Sequence, residues 1–570
     1  MRTTKLRPHL DKLLLASIFV VLSMSTILWT LRDRTPPAWD PADHLRYGYD
    51  YYRLLAHADF AGFAREFFIT RHYYPPFVHL VSAAVFLVSG ASRLTGIGAN
   101  LLLLVALLWA VSSLSGYLYA NPESTEAKVN SASRHALVVL PALLAACYHF
   151  SAWLLHDAFL DFPLTAIVAV AFALLVRADD FRVRRDAIAF GIAAGVGLLV
   201  KQTFAFFFLL PAVYVVIRVV RTRDRRAILN LAMTVAVLIL VAGIWYGPHF
   251  ADVIAIYREN QRAAVNENEA PLFTFDSNFF YVHALISMQM QLPLAVVFVA
   301  GLIYSLVRCR KQSVMLYLWL VSGLACFALV ANKDVRYTAP VLPAAALLSA
   351  CWLREFITLK PKTQAGVALG VLKTSLIVAI TVWALVSFFN AQWPKPGWGT
   401  AIDTPRYRWM VFSRNYYGFD HRPLNDDWSL PKIVNTVSSL PRADGLVSTD
   451  TIVLHSLAAG ESPPILGVVV NLAYLNPSSV ALYSRFMAPG RAGPPMIDVR
   501  WIVEPTMIDR IDGCDYILVR TGLDKADWVA SVERDTEKLI RANPDRFTLV
   551  ASFPIPLAEA DAVVYRLEQR

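Results

Sequence analysis

Charge is what this chain lacks. Asp, Glu, Lys and Arg together make up 17% of its 570 residues, where ordinary soluble domains sit near a quarter. Hydrophobic residues make up 56% and the mean hydropathy is +0.47, which excludes a soluble globular domain and implies an integral membrane protein. Cysteine is scarce too, with five in all. Cys147, Cys309, Cys326 and Cys351 fall in or beside apolar runs, and Cys514 stands alone in the polar C-terminal part, so no disulfide framework is available. A phosphate-cradling P-loop and a Gly-x-Ser-x-Gly hydrolase elbow are also missing. The net charge of +10 raises nucleic acid as a partner. The basic residues, however, gather in short loops between apolar runs, where positive-inside bias accounts for them, and no nucleic-acid partner is expected.

What is present is a series of apolar runs long enough to span a bilayer, near 13–31, 97–119, 135–153, 161–177, 187–201, 203–220, 227–247, 288–307, 313–330, 337–353 and 367–390. The basic loops 177–185, 218–226, 308–311 and 354–362 are expected on the cytoplasmic side. The first run follows Lys5, Arg7 and Lys12, exceeds a signal-peptide core in length and has no Ala-x-Ala site, so it reads as an uncleaved anchor with a cytoplasmic N-terminus. The stretch 187–220 must then cross twice, which makes Lys201-Gln202-Thr203 a tight outer turn. Counting 75–90 as a crossing would reverse the N-terminus. That run, opened by Pro75 and Pro76, is therefore expected to be re-entrant or interfacial.

The composition changes after Asn390: long apolar runs end, and short β-rich stretches recur near 445–448, 465–470, 501–503, 516–519, 547–552 and 562–567, with a helical pattern over 528–542. The expected fold class is thus mainly α. A polytopic transmembrane bundle of about eleven spans occupies 1–390, and a C-terminal extracytoplasmic α/β domain occupies 391–570. This domain carries no catalytic motif and reads as a cap over the membrane part. The aromatic approach, 393–409, suits a membrane-interface linker.

The unusual polar residues of the membrane part fall in its outward segments. Trp39-Asp40-Pro41-Ala42-Asp43-His44 lies just outside the first span, followed by Tyr47, Tyr49, Tyr51, Tyr52 and Arg53, then Arg71-His72-Tyr73-Tyr74. Segment 43–57 reads as an amphipathic helix on the membrane surface, and its tyrosines serve equally as headgroup anchors. Asp40 stands between Trp39 and Pro41, so its carboxylate is expected to be set by a turn ahead of the helix, as suits a general base. Asp157 and Asp161 are spaced to share one helix face. Asp157 reads equally as a cap or a functional acid, whereas Asp161 at the lip of an apolar run favours function, because an acid beside hydrocarbon is costly. Lys201 sits on the wrong side for a positive-inside lysine; it can snorkel, but binding an anionic headgroup is the preferred reading. In Asn332-Lys333-Asp334-Val335-Arg336-Tyr337 two more cations break the bias. Arg336 suits phosphate through its planar fork, and Asp334 can instead pair with either cation. No cofactor is expected, and a divalent metal has only scattered donors behind it, with no dense ligand motif.

In this order, these clusters resemble the polyprenyl-phosphate-sugar-dependent glycosyltransferases of the GT-C class, in particular the protein O-mannosyltransferase and lipid A aminoarabinose transferase group. The resemblance rests on Trp39-Asp40-Pro41-Ala42, Tyr74-Pro75-Pro76-Phe77, Asp161-Phe162-Pro163-Leu164, Val200-Lys201 and Arg336-Tyr337-Thr338-Ala339-Pro340-Val341-Leu342-Pro343, and it covers roughly 10–390. Two positions depart from it. Pro41 replaces the acidic neighbour of the catalytic Asp, which Asp43 can substitute, and Tyr74 replaces a lysine of the aminoarabinose branch. Headgroup binding then falls to Lys201 and Arg336, with Arg71 or His72 as further candidates.

The resemblance implies a membrane glycosyltransferase that moves a sugar from a polyprenyl-phosphate donor to a hydroxyl on a lipid, glycan or protein acceptor, at the outer face of a bacterial inner membrane. Asp40, Asp43 and Asp161 are its expected catalytic acids, Asp40 being the base of an inverting transfer. His44, Tyr74, Asp157, Lys201, Lys333, Arg336 and Tyr337 are its expected substrate-binding residues. The alternative readings are a transporter or flippase of lipid-linked sugar, against which the absence of an internal repeat argues, and a non-catalytic scaffold.

Overall fold

The structure, a computed structural model, describes residues 7–71, 73–119, 131–266, 269–354, 364–395, 397–412, 421–442, 463–490, 492–522, 530–557 and 559–568. His72 and the strand expected near 445–448 lie outside the described residues. Among those described, six helices are long and apolar enough to cross a membrane, and the number rises to eight if each of two bent pairs is one span. The chain is an integral, multi-pass membrane protein.

Helix α1 (Arg7–Arg32) leads to α2 (Trp39–Ala56), α3 (Phe60–Phe68) and α4 (Phe77–Ser89). With 13 residues, α4 reaches only about 20 Å at 1.5 Å per residue, well short of the hydrocarbon thickness. Next come α5 (Arg93–Gly96), α6 (Gly98–Tyr119), α7 (Ser131–Cys147), α8 (His149–His156), α9 (Asp161–Arg177), α10 (Arg184–Val200), α11 (Phe204–Thr222) and α12 (Arg225–Asn266). The pair α7 and α8 bends by 62° at Tyr148, where the backbone is extended with ψ 139°. Helix α13 (Phe275–His283) runs through a π-helical turn, Ala284–Met290, into α14 (Leu292–Arg308) with a 117° bend. The bend falls at Gln291, whose φ of 65° is left-handed, and Pro293 has no N–H to carry the preceding helix across it. After α15 (Arg310–Ala328), the expected run 337–353 is composite: a 3-10 turn, Val335–Val341, then α16 (Leu342–Ala350), then a second 3-10 turn, Cys351–Arg354.

The membrane core is built on α6, α7, α9 and α16, where alanines such as Ala142, Ala169, Ala173 and Ala345 are fully buried and let backbones approach. The turn at Lys201 is as short as expected, since α10 ends at Val200 and α11 starts at Phe204. It closes because a Cβ on Gly197 would strike the Phe204 ring.

The last apolar helix, Gln364–Gln392, is followed by the hairpin β1 (Thr400–Asp403) and β2 (Arg408–Phe412). A five-stranded mixed sheet then forms from β3 (Ile465–Val468), β4 (Asp498–Trp501), β5 (Tyr516–Arg520), β6 (Phe547–Pro554) and β7 (Asp561–Leu567), in the order β4-β3-β5-β7-β6. β3 is parallel to β4 and β5, and β7 is antiparallel to β5 and β6. Alternation sends Leu466, Val468 and Leu518 to a core with the helices Leu430–Ser438 and Pro477–Phe486. Ile465, Ile517 and Val519 go to the opposite core. The strand expected at 501–503 instead ends at Trp501. The helix expected from 528 is described from Ala530 to Ala542.

Two expectations for the outer loop are overturned. Helix α2 is no surface helix: it packs between α4 and the helix Pro477–Phe486, and Leu45, Tyr49, Tyr51, Tyr52 and Leu54 are buried. Its apolar side meets protein because the C-terminal part folds back over it. Asp157 and Asp161 do not share a helix face either, because α8 ends at His156 and α9 starts at Asp161, with an extended residue between.

Candidate active site

Asp40 is the second residue of α2, behind an extended Ala38, and Pro41 is the third. This corrects the turn expected ahead of the helix. A first-turn N–H has no helical acceptor, so proline costs nothing there, and an acid in that turn is favoured by the helix dipole. The carboxylate is therefore held on a rigid element.

Its partner comes from the 3-10 turn after α15. Arg336 donates from Nη1 to Asp40 Oδ2 at 3.1 Å. Arg336 Nε and Nη2 donate to Asp334 Oδ2 at 2.8 and 2.5 Å, and its backbone N–H donates to Asp334 Oδ1 at 2.8 Å. The guanidinium also lies 4.2 Å from the centre of the Phe159 ring. Burial works against its charge, yet Asp334 and Asp40 outweigh that and hold its pKa well above the usual range.

Lys201 and Asp161 form the second pair. Lys201 Nζ donates to Asp161 Oδ1 at 2.8 Å and stands 5.0 Å above the Tyr337 ring. Asp161 is thus the buried counter-ion of Lys201 and lines neither of the cavities described below. Lys333 points elsewhere: Nζ donates to the carbonyls of Phe327 and Ala328 at 3.2 and 2.8 Å, capping the end of α15. Burial lowers its pKa to about 8.

Two cavities meet at Asp40 and Arg336. The larger, about 720 Å³, is the more polar of the two; its walls include Asp43, Arg46, Tyr47, Lys333 and Asp334, with Trp501 from the C-terminal sheet. The smaller, about 370 Å³, is mostly apolar; Phe206, Val253, Ile254, Phe327 and Val330 line it, and Lys201 is its cation. Asp40, Tyr73, Tyr74, Asn332, Arg336 and Tyr337 belong to both.

Three expected residues stand back from this wall. Asp43 lines the larger cavity, but its oxygens accept from Arg46 Nε and Ser478 Oγ, each at 3.0 Å; burial pushes its carboxyl up. His44 lies behind Tyr74, its ring edge-on at 4.7 Å, with Nδ1 3.2 Å from Nε2 of His79. Burial, with Lys201, Arg336 and Arg46 nearby, keeps it neutral. Asp157 accepts at Oδ1 from the Ala158 N–H at 3.0 Å, and its carbonyl accepts from Asn100 at 2.7 Å; neither cavity includes it. Trp501 and Phe159 were missed by sequence reasoning, and no local pattern marks either. Among the described residues, no three His, Cys, Asp or Glu stand together as a metal site.

No family model and no curated protein match this chain. Solved structures do. The crystal structure of ArnT from Cupriavidus metallidurans bound to undecaprenyl phosphate aligns with a TM-score of 0.57 at 15% identity, over 96% of this chain and 97% of that one. ArnT in the apo state aligns at 0.54, with the same identity and coverage. The fold of this chain, bundle and C-terminal sheet together, is therefore similar to that of ArnT.

Proposed function

We propose that this chain is a membrane glycosyltransferase that moves a sugar from a polyprenyl-phosphate donor to an acceptor hydroxyl. One observation carries the reading: a carboxylate and a guanidinium form the common wall of an apolar, lysine-bearing cavity and a larger, more polar one. The donor's isoprenoid would lie along the apolar cavity, with its phosphate at Lys201 and Arg336. That ArnT, which shares this fold, was crystallised with undecaprenyl phosphate supports the choice of lipid. The acceptor would enter the polar cavity.

The acceptor oxygen attacks the anomeric carbon, and its proton passes to Asp40. The bond from that carbon to the phosphate oxygen breaks, the electron pair leaves with the polyprenyl phosphate, and the configuration inverts. Base assistance of this kind is worth about 10²–10⁴ in rate. Lys201 and Arg336 stabilise the charge that grows on the leaving phosphate, while Asp161 holds Lys201 in place. Asp43 and Tyr74 border the site, and Tyr337 faces the Lys201 ammonium. Residues 1–390 would be the catalytic membrane part, with about eleven crossings and a cytoplasmic N-terminus. Residues 391–570 would cap the bundle on the extracytoplasmic face of a bacterial inner membrane.

The experiment is transfer from a radiolabelled panel of polyprenyl-phosphate sugars to envelope lipid, glycan and protein acceptors, by purified wild type and Asp40→Asn. Transfer by the wild type, reduced at least about a hundredfold in the variant, is expected. Equal transfer by both would remove Asp40 as the base.

A further inference from the structure

Both cations at the mouth of the apolar cavity are already neutralised by carboxylates: Lys201 by Asp161, and Arg336 by Asp334 and Asp40. An incoming phosphate therefore meets cations whose charge is already shared with carboxylates, and the three acids differ in how firmly they are held.

Asp334 receives two N–H bonds from the Arg336 side chain and one from its backbone, all within a span of three residues. It cannot leave without unmaking the 3-10 turn. Asp161 is only 2% exposed, so a released carboxylate there would stand unpaired in the protein interior, which is strongly disfavoured. Asp40 receives a single, longer bond of 3.1 Å from an element far away in the chain, and its side chain is 38% exposed, open to both cavities. Of the three, it can give up its cation at least cost.

We propose, building on the transferase reading, that Arg336 holds Asp40 idle until the donor phosphate arrives, takes over its Nη1 and frees the carboxylate to accept the acceptor's proton. Asp334 is the positioning residue of this exchange, since it keeps the guanidinium on the shared wall while one arm changes partner. The base is thereby engaged only when a leaving group is in place, and productive binding runs donor first, acceptor second. Asp40 and the lipid phosphate compete as anions for the same guanidinium arm, so removing the Asp40 charge should strengthen lipid binding even as it abolishes transfer.

The test is a double-mutant cycle on the affinity of the purified full chain for undecaprenyl phosphate, with Asp40→Asn and Arg336→Gln alone and together. Asp40→Asn should bind about five- to tenfold more tightly than wild type, the share of binding lost when the competent state is only partly populated. Asp40→Ala should repeat the gain, and the gain should vanish in the Arg336→Gln background. Unchanged or weaker binding by both Asp40 variants would overturn the exchange while leaving the transferase reading intact. A gain that persists without Arg336 would overturn it too, as a bulk charge effect. No binding by the wild type would overturn both.

Discussion

Asp40 and Asp50 are the same residue type on the same helix, and each meets an arginine from a distant part of the chain. Asp50 accepts from Arg485 Nε at 2.6 Å and is 3% exposed, sealed between α2 and the helix Pro477–Phe486. Asp40 accepts from Arg336 at 3.1 Å on a wall shared by two cavities. Tyr49 and His57 reinforce the Asp50 end, reaching the carbonyls of Gly493 and Ala492 at 3.2 and 2.9 Å. The difference teaches that one helix both fastens the C-terminal part to the bundle and presents a reactive acid. A carboxylate with full burial and a short bond is an anchor; one with a single long bond and open space on two sides is available for chemistry.

The largest effect that would break this comparison is on stability. Asp50→Ala takes from the buried Arg485 its carboxylate partner at 2.6 Å, and breaking a buried ion pair from one side should cost about 3–5 kcal/mol. A lower melting temperature and faster proteolytic release of the C-terminal part would register it, whereas an unchanged melt would show that Asp50 is no anchor. Asp40→Asn should reverse the pattern: transfer falls at least about a hundredfold, while the melting curve stays with that of the wild type. A smaller effect is expected from Ser478→Ala, which takes one hydrogen bond from the half-buried Asp43 and should cost about 1 kcal/mol. It should lower the melting temperature slightly and weaken transfer far less than the Asp40 change.

The smallest effect sharpens the distinction among the cations near the cavities, and it concerns pH. Burial holds Lys333 at about 8, below its ordinary value of 10.5, so folding favours its neutral form. The penalty for carrying the charge is full below pH 8 and fades as the pH rises toward 10.5. Melting temperatures of wild type and Lys333→Met should therefore draw apart in favour of the wild type across that window. A constant difference would mean that Lys333 is solvated rather than capping α15.

Much of the architecture was readable without coordinates. Apolar runs announced the helices from Leu13 to Asn390, because hydrocarbon demands long uninterrupted apolar segments whatever the fold. The turn at Lys201 followed from charge bias alone, since two basic loops on one side require an even number of crossings between them. The union of Asp40 with Arg336 followed only as far as the expectation that both lie on one side of the membrane.

Depth and pairing were not readable. The sequence of α2 is that of an amphipathic surface helix, and only the fold-back of the helix Pro477–Phe486 buries it. Asp157 and Asp161 have helical spacing, yet Asp157 is itself extended, which leaves it in a loop while Asp161 opens the next helix and meets Lys201. The bend at Gln291 depends on a left-handed backbone at a residue with no intrinsic liking for it.

By itself, then, the sequence determined that this is a membrane-embedded helical protein and that a small soluble-like sheet follows its last apolar helix. Those properties rest on partition between water and hydrocarbon, which each segment settles alone. Tertiary structure alone decided which acid is an anchor, which is a counter-ion and which faces open space. The reason is that a carboxylate's burial and partner are set by side chains hundreds of positions away, brought beside it by packing that no local pattern encodes.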